Sequence, residues 1–129
     1  MSASAPARTP AATPDASAVL SRAAVRAAVL LGIAQVDLAD IIGVSPSTMS
    51  RIASGLKQLE AGSKPWQLAA LFVRLFRALD AIVGSDDAAA RAWMRGEHLV
   101  LGGVPLELAR DPAGLVRTVD YLDAARARV

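Results

Sequence analysis

The stretch from Gln35 to Gly55, QVDLADIIGVSPSTMSRIASG, admits very few folds. Gln35 to Ile42 is long enough for a short helix, and Leu38, Ala39, Ile41 and Ile42 fall on one inward stripe. Gly43 stands where that helix must stop, because a left-handed closing residue is least strained without a Cβ. Val44 plugs the corner. Ser45-Pro46 restarts a helix, with a hydroxyl cap followed by a proline at the first helical position. That second helix, Pro46 to Ser54, turns Met49, Ile52 and Ala53 inward and leaves Ser47, Thr48, Ser50 and Arg51 outside, and Gly55 ends it. Two helices meeting at a steep angle need a small residue at their closest approach, which Ala39 supplies. The pattern is that of a helix-turn-helix, whose second helix would present its outward residues to a major groove.

Composition narrows the function classes. An alanine-rich chain of 129 residues that is 53% apolar and 4% aromatic is expected to be all-α and long enough for one ordinary domain or two small ones. Without cysteine there is no disulfide framework and no thiolate metal site, and His98, the lone histidine, cannot build a metal centre or a cysteine–histidine dyad alone. No metal and no cofactor is therefore expected. The formal net charge of +2 is unevenly placed. Residues 65–129 are balanced, whereas Arg22, Arg26, Arg51, Lys57 and Lys64 outnumber Asp37, Asp40 and Glu60 around the helix-turn-helix. A phosphate-facing surface suits that surplus. The most apolar run, Leu68 to Val83, is broken by Arg74, Arg77 and Asp80, and the N-terminus lacks the apolar centre of a secretory signal. A cytoplasmic protein with no membrane contact is expected.

Along the chain, residues 1–15 hold no large apolar side chain and read as a disordered tail, with Arg8 as a conceivable minor-groove arm. Asp15 or Ser17 caps a helix to about Leu31, with Val19, Leu20, Ala23, Ala27, Leu30 and Leu31 on one face and Arg22 and Arg26 on the other. Residues 56–63 read as a helical turn and then a linker, so the chain divides into a helix-turn-helix domain, 16–63, and a second helical domain, 64–129. Lys64-Pro65 opens the longest helix, running to Val83 and apolar around most of its circumference. Such a helix must be covered on several sides; a second subunit or a partner protein is expected to supply part of the cover, the alternative being that the C-terminal helices wrap it within one monomer. Ser85-Asp86-Asp87 caps a helix to about Arg95 that buries Ala89, Ala92 and Trp93. The loop HLVLGGVP, 98–105, turns at Gly102-Gly103, Leu106 to Ala109 is a single helical turn, and Asp111-Pro112 starts a last helix with Leu115, Val119 and Leu122 on one face.

The segment WMRGEHLVLGGVPLELARDPAGLVRTVDYL, residues 93–122, resembles the toxin-binding domain of the MbcA/ParS/Xre antitoxin family. Trp93-Met94 closing a helix, Leu101-Gly102-Gly103 in the loop, Pro105-Leu106 starting the short turn and Leu108 ending it carry the likeness. So does the acidic-then-Gly-Leu-Val segment leading into the last helix. The family usually has Trp-Leu and an asparagine near position 98, where this chain has Met94 and His98. Residues 17–60 are similar to the Xre-type helix-turn-helix that precedes this domain in the family.

The resemblance implies the antitoxin of a type II toxin–antitoxin pair. Its partner would be a RES-domain toxin that consumes NAD or transfers ADP-ribose from it, with the antitoxin's C-terminal half covering or filling the NAD pocket. The N-terminal half would form a homodimer, join a higher hetero-oligomer with the toxin, and bind the promoter DNA of its own operon. On this basis the toxin-binding candidates are His98, Leu101, Gly102, Gly103 and Pro105 in the loop, Tyr121 on the last helix, and Arg126, Arg128 and Val129 in the tail. A tail with two arginines and a terminal carboxylate is suited to rival a pyrophosphate, so the C-terminal helix and tail are expected to plug the pocket.

The DNA-binding candidates are Gln35, Ser45, Ser47, Thr48, Ser50 and Arg51. Arg51 alone offers the bidentate guanine contact that discriminates best, and hydroxyls more often meet phosphate. Pro46 stands where many relatives place a base-reading polar side chain, so modest sequence specificity is expected. The alternative is a stand-alone helix-turn-helix repressor whose C-terminal half dimerises or senses a ligand. An enzyme is disfavoured, because no carboxylate pair, nucleophile–base set or phosphate-binding glycine loop has suitable spacing.

Overall fold

The computed structural model describes residues 15–128. The tail before Asp15, Arg8 with it, and Val129 lie outside the described residues. The helices are α1 (Ala16–Leu30), α2 (Gln35–Ile42), α3 (Pro46–Ala53), α4 (Lys64–Ile82), α5 (Asp87–Arg95), α6 (Pro105–Leu108) and α7 (Pro112–Ala127). Among the described residues there is no strand, only an isolated antiparallel bridge between His98 and Gly103. The all-α reading holds.

Local chemistry sets the boundaries. Asp15, Ser45, Ser63, Asp86 and Asp111 each accept a backbone N–H in the first turn of α1, α3, α4, α5 and α7 respectively. Those bonds satisfy donors that no helix can satisfy for itself. Proline stands in the first turn of α3, α4, α6 and α7, where its missing N–H costs nothing. Gly43 closes α2 at φ 78° and donates to the Ala39 carbonyl.

α4 is the axis of the molecule, lying against α1 and α2 on one side and α7 on another, with α5 near its end. Phe72, Leu75 and Leu79 of α4 are fully buried in one continuous core. That core takes Leu38, Ile41, Ile42 and Met49 from the helix-turn-helix and Met94, Leu115, Val119 and Leu122 from the C-terminal half. Helices of the same chain cover much of α4, while Gln67, Ala70, Arg74, Arg77 and Ala81 are exposed and Trp66, Leu71, Phe76 and Ile82 are half-buried.

Three local expectations are corrected. The buried edge of α1 is Ser21, Ala24, Ala27 and Ala28, leading to Leu31, whereas Val19 is 43% exposed. Ser21 tolerates burial because its hydroxyl donates to the Ser17 carbonyl (2.6 Å) and accepts the Leu59 N–H (3.0 Å). That bond, with Leu59 only 3% exposed, fastens the segment that reads as a linker onto α1. In α5 the buried residues are Ala90 and Met94, with Ala89 and Trp93 half-buried and Ala92 exposed. The helix is rotated because Arg91 and Arg95 reach the end of α1. The Arg91 Nε donates to the Leu30 carbonyl (2.9 Å), and the two terminal nitrogens of Arg95 donate to Leu31 (3.0 Å) and Gly32 (2.7 Å). Two cations at a helix C-terminus satisfy orphan carbonyls and complement its dipole.

Candidate functional site

Two separate surfaces carry the residues singled out by sequence. The first is built by α2 and α3. Ser45 is engaged in its own cap: its hydroxyl accepts the Thr48 N–H (3.1 Å), donates to the Thr48 hydroxyl (3.0 Å) and lies 3.2 Å from that of Ser47. Ser47, Ser50 and Arg51 project from α3 into solvent, and Thr48 is half-buried. Among the described residues Arg51 forms no ion pair. Gln35 is exposed at the first position of α2, whose preceding residue, Ala34, provides no side-chain cap. Arg22 and Arg26 of α1 line a shallow cleft with Ser54 and Gly55 at the end of α3. Arg22 and Arg26 thus lie near the C-terminal end of the second helix, where they offer a sequence-neutral attraction for phosphate.

The second surface is the loop between α5 and α6. His98 and Gly103 close it through paired backbone bonds, His98 N–H to the Gly103 carbonyl (3.0 Å) and Gly103 N–H to the His98 carbonyl (3.3 Å). Gly102, at φ 78°, makes the turn possible and donates to the His98 carbonyl at 2.8 Å. The His98 ring lies 4.5 Å from that of Trp93, with its Nε2 3.2 Å from the Trp93 carbonyl. Tyr121 of α7 lies near-parallel to Trp93, with 6.3 Å between centroids and 22° between the ring planes. His98, Gly102 and Gly103 are therefore brought together in the loop, and both His98 and Tyr121 neighbour the Trp93 ring.

Leu101 and Pro105 belong to the underside of this loop. Leu101 is 6% exposed and Pro105 is buried, and Gly103 packs against the Leu108 side chain. At the tip stand two residues that the sequence reading passed over, Leu99 and Val100, 101% and 81% exposed. Their signal was partial: three large apolar residues, Leu99, Val100 and Leu101, precede the Gly-Gly turn, and the tip of a short closed turn cannot bury all of them. Adjacent exposed apolar residues on an anchored loop mark a contact surface.

The tail candidates lie elsewhere. Arg126 is exposed and lines a groove between α1, α4 and α7 with Trp66, Val19 and the paired Arg74 and Asp123. Arg128 caps α7 and is exposed, and the expectation for Val129 falls outside the described residues. Among the described residues no group of His, Asp or Glu is arranged to hold a metal, and no helix is long and apolar enough to cross a membrane.

Two family models match the chain. Residues 10–74 match the family model described as the antitoxin Xre-like helix-turn-helix domain. Residues 78–128 match the one described as the antitoxin Xre/MbcA/ParS C-terminal toxin-binding domain. The two matches meet inside α4, the helix that both halves pack against. No curated protein matches the chain.

Proposed function

Because the chain belongs to the Xre/MbcA/ParS family of antitoxins, in which an Xre-like helix-turn-helix precedes a toxin-binding domain, we propose that it neutralises a RES-domain toxin by occluding that toxin's NAD pocket and represses its own operon as a homodimer. These families are not enzyme families, so the chain supplies binding and no reaction of its own. The observation that carries the toxin arm is the exposed Leu99-Val100 tip of a loop closed by the His98–Gly103 bridge, with the His98 ring beside Trp93. An apolar tip on a closed loop buries surface on contact at a reduced ordering cost. Arg126 and Arg128, exposed near the chain's end, extend this role as cations that can replace the contacts of a pyrophosphate. Co-expression with the product of the adjacent gene tests the arm: a stable copurified complex is expected, and its absence would favour a stand-alone repressor.

The DNA arm rests on Arg51, a fork-shaped donor that pairs with no carboxylate among the described residues. Arg51→Ala is expected to weaken binding to the upstream duplex by roughly 5- to 150-fold, the range of about 1–3 kcal/mol for one bidentate base contact. Fluorescence anisotropy at fixed salt measures it, and unchanged affinity would show that α3 does not present Arg51 to a base.

A further inference from the structure

Arg110, in the turn between α6 and α7, spans the two halves of the molecule. Its Nη2 donates to Asp37 Oδ1 at 2.6 Å, its Nη1 donates to Asp40 Oδ2 at 3.0 Å, and its Nε lies 3.6 Å from Glu107 Oε1. Both aspartates stand on the outer side of α2, three residues apart and so one above the other. Only a planar guanidinium can bridge two carboxylates in this way with separate nitrogens. All the groups are partly open to water, with side-chain exposures of 36% for Arg110, 29% for Asp37 and 53% for Asp40. Ion pairs this accessible contribute little to holding a fold together.

Their position suggests another use. In a helix-turn-helix the first helix crosses the phosphate backbone, and Gln35 at its N-terminus is the expected phosphate contact. Asp37 and Asp40 lie two and five residues further on, so at 1.5 Å per residue both are within about 8 Å of that end along the helix axis. The Debye length at 0.1 M salt is about 10 Å, so two uncompensated carboxylates at this distance repel a phosphate with little screening.

We propose that Arg110, although it belongs to the toxin-binding half, is a positioning residue for DNA recognition: it offsets part of the negative charge of the two carboxylates of α2 and holds them in place beside the N-terminal end where Gln35 stands. The inference rests on the DNA-binding reading given above. It makes DNA affinity depend on a side chain from the turn that follows the toxin-facing loop.

The test compares the full-length wild-type chain with Arg110→Gln and with Arg110→Gln combined with Asp37→Asn and Asp40→Asn. The measurement is binding to the duplex upstream of its own gene at 0.1 M and 0.5 M salt, with thermal melts alongside. Arg110→Gln is expected to weaken binding about fivefold at 0.1 M salt, with a smaller loss at 0.5 M where the Debye length shortens. The triple variant is expected to match or exceed wild-type affinity, because the wild-type group keeps one net negative charge whereas the three neutral side chains carry none. A loss that the asparagines do not restore, or that salt does not diminish, would assign Arg110 a purely structural role and overturn the proposal. Unchanged binding by Arg110→Gln would overturn it as well. A wild-type chain that retained no DNA at either salt would remove the DNA-binding reading itself, an outcome distinct from the other two.

Discussion

Replacing Gly114 with alanine is expected to lower the midpoint of thermal unfolding by about 10 °C. A Cβ at this position would stand 2.2 Å from the Leu108 carbonyl oxygen, 2.9 Å from its carbon and 3.2 Å from its Cα. These are backbone atoms at the end of α6, which cannot swing aside as a side-chain tip can. The first turn of α7 is equally fixed: the Gly114 N–H donates to the Asp111 carboxylate at 3.1 Å, and its carbonyl accepts the Thr118 hydroxyl at 2.8 Å. Relief therefore requires α6 to move off α7, which loosens the seats of Pro105 and Ala109, both buried. Overpacking of this kind costs about 3 kcal/mol, and a domain of this size loses roughly 3–4 °C per kcal/mol. The same shift would slacken the base of the 98–103 loop, so toxin affinity is expected to fall with stability. Differential scanning calorimetry decides the matter, and an unchanged midpoint would mean that α6 and α7 do not meet this closely.

The second large effect separates binding from folding. Leu99→Ser combined with Val100→Ser is expected to weaken toxin binding about 100-fold or more while leaving the melting midpoint in place. Both side chains are fully or largely in water in the free chain, so polar replacements remove nothing from its core. In a complex each buried aliphatic side chain is worth about 1.5–3 kcal/mol, and truncating two anchors at the centre of an interface commonly reaches the scale of hot spots. Calorimetric titration of purified toxin measures the affinity. Wild-type affinity in the double variant would move the docking surface away from the loop tip and toward the tail with Arg126 and Arg128.

Much of this architecture is legible one residue at a time. Ser45-Pro46, Ser63 with Pro65, and Asp111-Pro112 each announce a helix start, because the capping group and the proline act within one turn of where they stand. The helix-turn-helix and the Leu115, Val119, Leu122 edge of α7 follow from periodicity alone. What stayed hidden depends on partners distant in sequence. Arg91 and Arg95 meet backbone carbonyls of α1 that carry no side-chain signature, and their reach rotates α5 away from the face its alanines suggested. Alanines on every side of α5 give its pattern little power to resist. Arg110 finds its carboxylates about seventy positions earlier in the chain. The need for glycine at position 114 exists only once α6 is laid against α7. Among the candidate site residues, His98, Gly102 and Gly103 come together in the loop and both His98 and Tyr121 neighbour Trp93, while Leu101 and Pro105 serve as the footing of the loop and its apolar tip takes the exposed place.

The central claim, that this chain binds and shuts an NAD-consuming toxin, is tested most directly by following NAD loss in a reaction containing the purified product of the adjacent gene. Increasing amounts of the wild-type chain should stop NAD consumption at a fixed molar ratio, with the Leu99→Ser, Val100→Ser variant requiring a large excess. NAD consumption that continues undiminished in the presence of saturating wild-type chain would contradict the account.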